Sequence, residues 1–220
     1  MLSGLMAALG GAVLLAVPGS ARAADCPAAK SAPGFELILD VGKVTYDFTQ
    51  SSEKLAVMRR EAGDGDPAGR QAGMTRTRLG YEIHADIHVR GNPGAFCGHL
   101  QHVRVSVGWR EIEVFVNRRY GESSCAHRAT LAHENEHVLA HRAALRDAEP
   151  ELGTRIGAAA ATAPTLRAAT VEEVRAAHLQ RLEAVLKELA AAINRDAERR
   201  NAALDTAENY RVVSKRCARW

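Results

Sequence analysis

From Tyr81 to Arg90 apolar and polar residues alternate without a break: Tyr81, Ile83, Ala85, Ile87 and Val89 against Glu82, His84, Asp86, His88 and Arg90. A period of two predicts a strand with one face on a core and the other toward solvent. Val103, Val105, Val107 and Trp109 repeat the pattern, and Ile112, Val114 and Val116 repeat it again. Upstream, "FELILDV" and "VTYDFTQ" lie on either side of Gly42, which predicts a hairpin. Half-buried strands of this kind favour an antiparallel sheet with one covered face. "SSEKLAVMRREAG" predicts a short helix, followed by the turn-rich "GDGDPAG".

Beyond Cys125 the period changes. Ser123 or Ser124 can cap a helix that carries "ATLAHENEHVLAHRAALRDA" and stops before Pro150. "LGTRIGAAAATAP" reads as an Ala/Gly-rich connector with a helical turn or two. Thr170 and Glu173 then form a capping box that opens a long helix, from about Val171 to Asn201 or beyond. Its apolar stripe is Val174, Leu182, Val185, Leu189 and Ile193. Strands followed by helices predict an α+β fold: an N-terminal antiparallel sheet, a His-rich helix, and a long C-terminal helix packed against it. One domain is expected over 24–220, strand-rich over 35–120 and helical over 125–210.

The first residues do not belong to this pattern. Leu5 to Val17 is almost wholly apolar but too short for a stable membrane anchor, and Ala21 and Ala23 make an A-x-A cleavage signal. Residues 1–23 therefore read as a signal peptide and the chain as exported, to a periplasm or beyond the cell. No second apolar stretch reaches membrane-spanning length. The formal charge of +3 falls to +2 without Arg22, and there is no long basic run, so nothing suggests nucleic-acid binding. Four cysteines, Cys26, Cys97, Cys125 and Cys217, suit two disulfides in an exported protein. The pairing expected is Cys97–Cys125 and Cys26–Cys217.

The stretch that carries chemistry is "AHENEHVLAH", Ala132 to His141. His133, Glu134 and His137 make H-E-x-x-H. Residues four apart lie on one helix face, so two imidazoles converge on one ion. Glu134, about 100° around the axis, reaches a metal-activated water without ligating the metal. Zinc so held serves as a Lewis acid, and the glutamate as general base.

This motif after a strand-rich half resembles the zincin metallopeptidases. More narrowly, the mature chain is similar to an uncharacterised bacterial family of predicted secreted zinc-dependent proteases, in which strands precede an H-E-x-x-H helix and a long helix closes the domain. The resemblance implies one zinc ion and hydrolysis of peptide bonds.

A catalytic zinc ordinarily takes three protein ligands. His141 extends the series but lies about 12 Å along the axis from His133, so three collinear imidazoles cannot close a tetrahedral site. If the long helix packs antiparallel to the motif helix, counting inward from Ala148 and Val171 places the partner of His137 near Leu182. His178, on the apolar stripe, is then the expected third ligand, with Glu183 and His141 as alternatives. Asp196 is a candidate to orient a ligand histidine or to pair with an arginine. "LDTAENY" brings Asp205, Glu208 and Tyr210 to a segment that could return to the site, without a geometric argument for it. His84, Asp86 and His88 share one strand face as a second, weaker metal candidate, and His99, His102 and His127 carry no motif. The strand Glu111–Asn117 is the one expected to pair with an extended substrate. The expected function is a secreted zinc metallopeptidase acting on a peptide or protein, with Glu134 catalytic. The alternatives are a non-catalytic periplasmic metal-binding protein and a helical interaction module.

Overall fold

The structure is a computed structural model that describes residues 26–62 and 71–220. The expected signal peptide and the whole turn-rich stretch 63–69 lie outside the described residues. The element order is β1 (Gly34–Asp40), β2 (Val44–Asp47), α1 (Ser52–Glu61), β3 (Gly73–Asn92), β4 (Ala95–Val116), α2 (Cys125–Asp147), α3 (Glu149–Ala161), β5 (Leu166–Ala168), α4 (Val171–Leu204) and α5 (Ala207–Ser214).

The fold is α+β, but the sheet is not the antiparallel one expected. β4 is its axis. β3 pairs antiparallel along one edge of β4, while β1 and β2 pair parallel to the other edge, and β5 caps that edge antiparallel at Phe96–Gly98. The expected hairpin at Gly42 does not exist. Asp40 lies opposite Gly108 and Val44 opposite Ile112, so four residues advance on each strand and the chain runs straight on. Gly42 marks a kink, at φ 77°. A Cβ there would meet the carbonyl oxygen of Trp109 at 2.6 Å, which leaves the position to glycine. A glycine with positive φ serves a hairpin turn and a kink equally, so the sequence alone could not separate them.

The alternating segments are pieces of two long strands, joined at the positive-φ Gly94. Register shifts lie between Arg78 and Leu79 and between Asp86 and Ile87. The first leaves Arg110 unmatched in β4, so Trp109 and Ile112, three apart, both stay buried. The inward face, with Val103, Val105, Val107, Trp109, Ile112 and Val114, packs against Val138, Leu145, Leu152, Ile156, Leu182, Leu186, Leu189 and Ile193 of the helices. The opposite face carries cross-strand ion pairs, Arg76–Glu113, Arg78–Glu111 and Arg104–Glu36, which at this exposure add little stability. At one end α1 covers that face, with Leu55 and Met58 on Met74 and Phe115.

The helices begin where their caps predict. Ser124 accepts from the His127 amide, and Thr170 and Glu173 form the reciprocal capping box. The connector is more than a turn or two: it is α3, with Leu152, Ile156 and Ala160 buried and Pro150 in its first turn. α3 lies along the first half of α4, where Arg155 pairs with Glu188. The second half of α4 therefore reaches α2, where Arg200 pairs with Asp147.

Both disulfides differ from the expected pairing. They are Cys26–Cys97 and Cys125–Cys217. Cys97 opens β4, and the strand carries the chain roughly 60 Å before the turn that leads to Cys125, so those two cannot meet. Two disulfides suit an oxidising, exported environment. Among the described residues no helix is long and apolar enough to cross a membrane.

Candidate metal centre

α2 carries His133 and His137 on its inner face one turn apart, both buried. Their Nε2 atoms are 3.2 Å apart. Asp205, the residue that ends α4, brings Oδ1 to 3.2 Å from each of them. The three donors make a nearly equilateral triangle. A tetrahedral ion with bonds of about 2.0–2.1 Å needs its donors about 3.3 Å apart. The spacing and the N,N,O donor set thus fit a zinc ion, for which α2 and the end of α4 offer three donor atoms. Among the described residues this is the one group of three or more His, Cys, Asp or Glu whose donor atoms lie within 4.8 Å of one another.

Two of the three groups, His137 and Asp205, are held from behind by hydrogen bonds. The other nitrogen of His137, Nδ1, lies 2.7 Å from Asn201 Oδ1 and donates to it when Nε2 is free to bind metal. Asn201 Nδ2 in turn reaches the Ala197 carbonyl at 2.8 Å and His141 Nε2 at 2.9 Å. The Tyr210 hydroxyl donates to Asp205 Oδ1 at 2.7 Å, and its ring lies 5.5 Å from that of His133. Arg59 faces the other oxygen, Oδ2, at 3.7 Å and donates to Gln71. Burial opposes ionisation of Asp205, but hydrogen bonds with both imidazoles and Tyr210 outweigh it and hold the carboxyl far below the usual range.

Glu134 stands outside the ligand triangle. It is buried beside the two histidines, and Thr75 donates to Oε2 at 2.8 Å. Gly73 gives it room: a Cβ there would meet Glu134 Oε1 at 2.6 Å and Thr130 Cγ2 at 2.7 Å. Burial pushes the Glu134 carboxyl up, against the lowering pull of His137 and of the Thr75 hydroxyl. A carboxyl so raised exchanges a proton nearer neutrality than an ordinary glutamate. All these groups line one cavity of about 1140 Å³, with the strand residues Gly73, Thr75 and Thr77 on one wall and Tyr210 and Trp220 on another.

The other expected site residues lie elsewhere. His178 is fully buried with Nε2 3.1 Å from the Gly98 carbonyl. It is about 40 Å along α4 from Asp205, so it is not the third ligand. Glu183 is exposed on the same distant half. The inward count failed because α3 occupies the first half of α4, which moves the partner of His137 from Leu182 to Asn201. His141 does not ligate: it packs edge-on against Trp109, whose indole donates to its carbonyl, and burial lowers its imidazole to about 4. Asp196 pairs with Arg199 and Arg200 rather than a histidine. His84, Asp86 and His88 lie on the outer sheet face, where His88 accepts from Arg90. His99 lies tilted against His88, and His127 meets Phe48 edge-on. Glu111–Asn117 cannot take a substrate strand, because β2 and β3 occupy both its edges. Thr75, Asn201 and Gly73 carry no sequence signal: a threonine in a strand, an asparagine late in a helix and a glycine at a strand start are common.

Comparison with protein-family models, with curated proteins and with solved structures gives no match.

Proposed function

We propose that this chain is an exported zinc-dependent metallopeptidase. The observation that carries the reading is the triangle of His133 Nε2, His137 Nε2 and Asp205 Oδ1 at 3.2 Å edges, with the Glu134 carboxyl buried beside it. A zinc ion held there supplies Lewis-acid chemistry, polarising a carbonyl and acidifying water.

The chain's own groups do the rest. Glu134 takes a proton from the attacking water and passes it to the leaving amine, a role that its raised affinity for protons suits. Thr75 fixes the carboxylate in one orientation. Asn201 fixes the ring of His137, and burial of both imidazoles keeps bulk water from competing for them. Tyr210, whose hydroxyl burial and the neighbouring Asp205 keep protonated, donates to Asp205 Oδ1 and so orients that carboxylate at the cavity wall. In place of Glu111–Asn117, β3 is the strand suited to an extended peptide. Among the described residues no strand pairs with its outer edge, and its Thr75 and Thr77 line the cavity.

The test uses zinc-loaded protein and a mixture of internally quenched peptides, with Glu134→Gln as control. Hydrolysis by the native chain, lost in a variant that still binds one zinc, is the expected result. Full zinc binding with no hydrolysis by either would leave a metal-binding protein and sink the peptidase reading.

A further inference from the structure

The segment that carries Asp205 has little apolar burial of its own. α4 last buries a residue at Ala197, and the two turns from there to Asp205 bury none. Beyond Asp205 comes α5, eight residues long with Val213 alone buried. A helix that short is not stable by itself. Its apolar contact is one small cluster, Val213 with Ala129 and Cys217. Polar contacts add to it, from Asn201 to His137 and His141, from Arg200 to Asp147 and from Arg59 to Asp205, and Trp220 packs edge-on against Tyr120. One further tie is covalent. Cys217 is bonded to Cys125, the first residue of α2, two turns before His133. The bridge thus joins the helix that supplies two ligands to the segment that supplies the third. That segment also supplies Tyr210, which holds Asp205 Oδ1, and Trp220 at the cavity wall.

We infer that the Cys125–Cys217 disulfide is a positioning element of the metal centre, so that metal binding and oxidation of this pair favour one another. The inference rests on the metal-binding part of the proposed function. With the bridge open, the segment from Asp205 to Trp220 is joined covalently at one end only and rests on Val213, the Arg59–Asp205 pair and the Trp220–Tyr120 contact, so ordering Asp205 costs metal affinity. Closing it joins the two sulfurs as the thiols release two protons and two electrons. A disulfide-bearing oxidant accepts both and becomes a dithiol. The chain therefore stays a weak metal binder while its thiols are reduced and gains its site after export. The other disulfide, Cys26–Cys97, lies at the far end of β4 by β5 and is not coupled in this way.

Coupling of this kind is reciprocal, which allows a test on the native protein. The chain is equilibrated in glutathione buffers of graded potential, with free zinc either absent or buffered at saturation. Each disulfide is then quantified by alkylation and mass spectrometry. Zinc is expected to shift the Cys125–Cys217 equilibrium at least about tenfold toward the disulfide, about 30 mV for this two-electron couple, and to leave Cys26–Cys97 unmoved. In parallel, Cys125→Ser with Cys217→Ser should weaken zinc binding at least about tenfold, and adding Asp205→Ala to that pair should cost less than it does in the native chain. If the native chain binds zinc but its Cys125–Cys217 equilibrium does not move, or moves toward the thiols, the inference is overturned while the metal centre stands. If the native chain binds no zinc, both fall.

Discussion

The Thr75 hydroxyl touches Glu134 twice, at 2.8 Å from Oε2 and 3.1 Å from the backbone carbonyl. A strand at the sheet edge thus steadies the residue beside the metal ligands on α2. Replacing Glu134 with Gln should lower kcat at least about hundredfold while one zinc is retained. Thr75→Val should lower kcat about tenfold with KM little changed, because it frees the carboxylate without touching a ligand. Steady-state kinetics on the zinc-loaded proteins decides this. A Thr75→Val variant with native kcat would show that the contact is incidental.

Gly73 tests the same carboxylate from the other side. An added methyl group would lie 2.6 Å from Glu134 Oε1, and the neighbours, Thr130 and the Glu134 stem, leave it nowhere to go. Gly73→Ala should therefore displace the glutamate, lowering kcat at least about tenfold with zinc affinity near native. A variant with unchanged kcat would mean that the wall yields at no cost to geometry.

Asn201 anchors the ring of His137 through Nδ1 at 2.7 Å. Asn201→Leu keeps the branched shape but removes the acceptor, and should weaken zinc binding about 10–100-fold. Competition with a chromophoric chelator measures it. The same variant leaves His141 without one of its partners, so a modest loss of thermal stability should accompany the effect.

His178 belongs to stability rather than to the site. Its ring is fully buried against the Gly98 carbonyl, so His178→Ala should cost about 2–4 kcal/mol while zinc affinity stays native. Burial, partly offset by that hydrogen bond, holds its imidazole below the ordinary value, so the unfolded chain takes up this proton first. The contribution is present above about pH 6.5 and is lost as pH falls below it. Melting temperatures between pH 7.5 and 5 should drop less steeply for His178→Leu than for the native chain. Parallel curves would refute the assignment.

What could be read without coordinates followed from local periodicity. Tyr81–Arg90 and Val103–Trp109 alternate because one face of each strand meets the helical layer. The Thr170–Glu173 box and the stripe from Val174 to Ile193 fix α4 for the same reason. The pair His133 and His137, with Glu134 between, was legible because spacing on one helix is a local property. The third member of the cluster was not. Asp205 was in view within "LDTAENY", but its partner in space depends on how far α4 slides along α2. That distance is set by α3, whose Ala-rich sequence carries too weak an apolar pattern to announce a 13-residue helix. The direction of β1 and β2 was hidden for a similar reason: an alternating pattern has no polarity, and the parallel register rests on long-range pairing with β4.

Zinc titration of the native chain beside Asp205→Ala and His178→Ala tests the central claim most directly. One equivalent should bind tightly to the native protein and to His178→Ala, and binding should weaken at least about hundredfold in Asp205→Ala. Native affinity in Asp205→Ala, or loss of zinc in His178→Ala with the fold intact, would contradict the centre described for His133, His137 and Asp205.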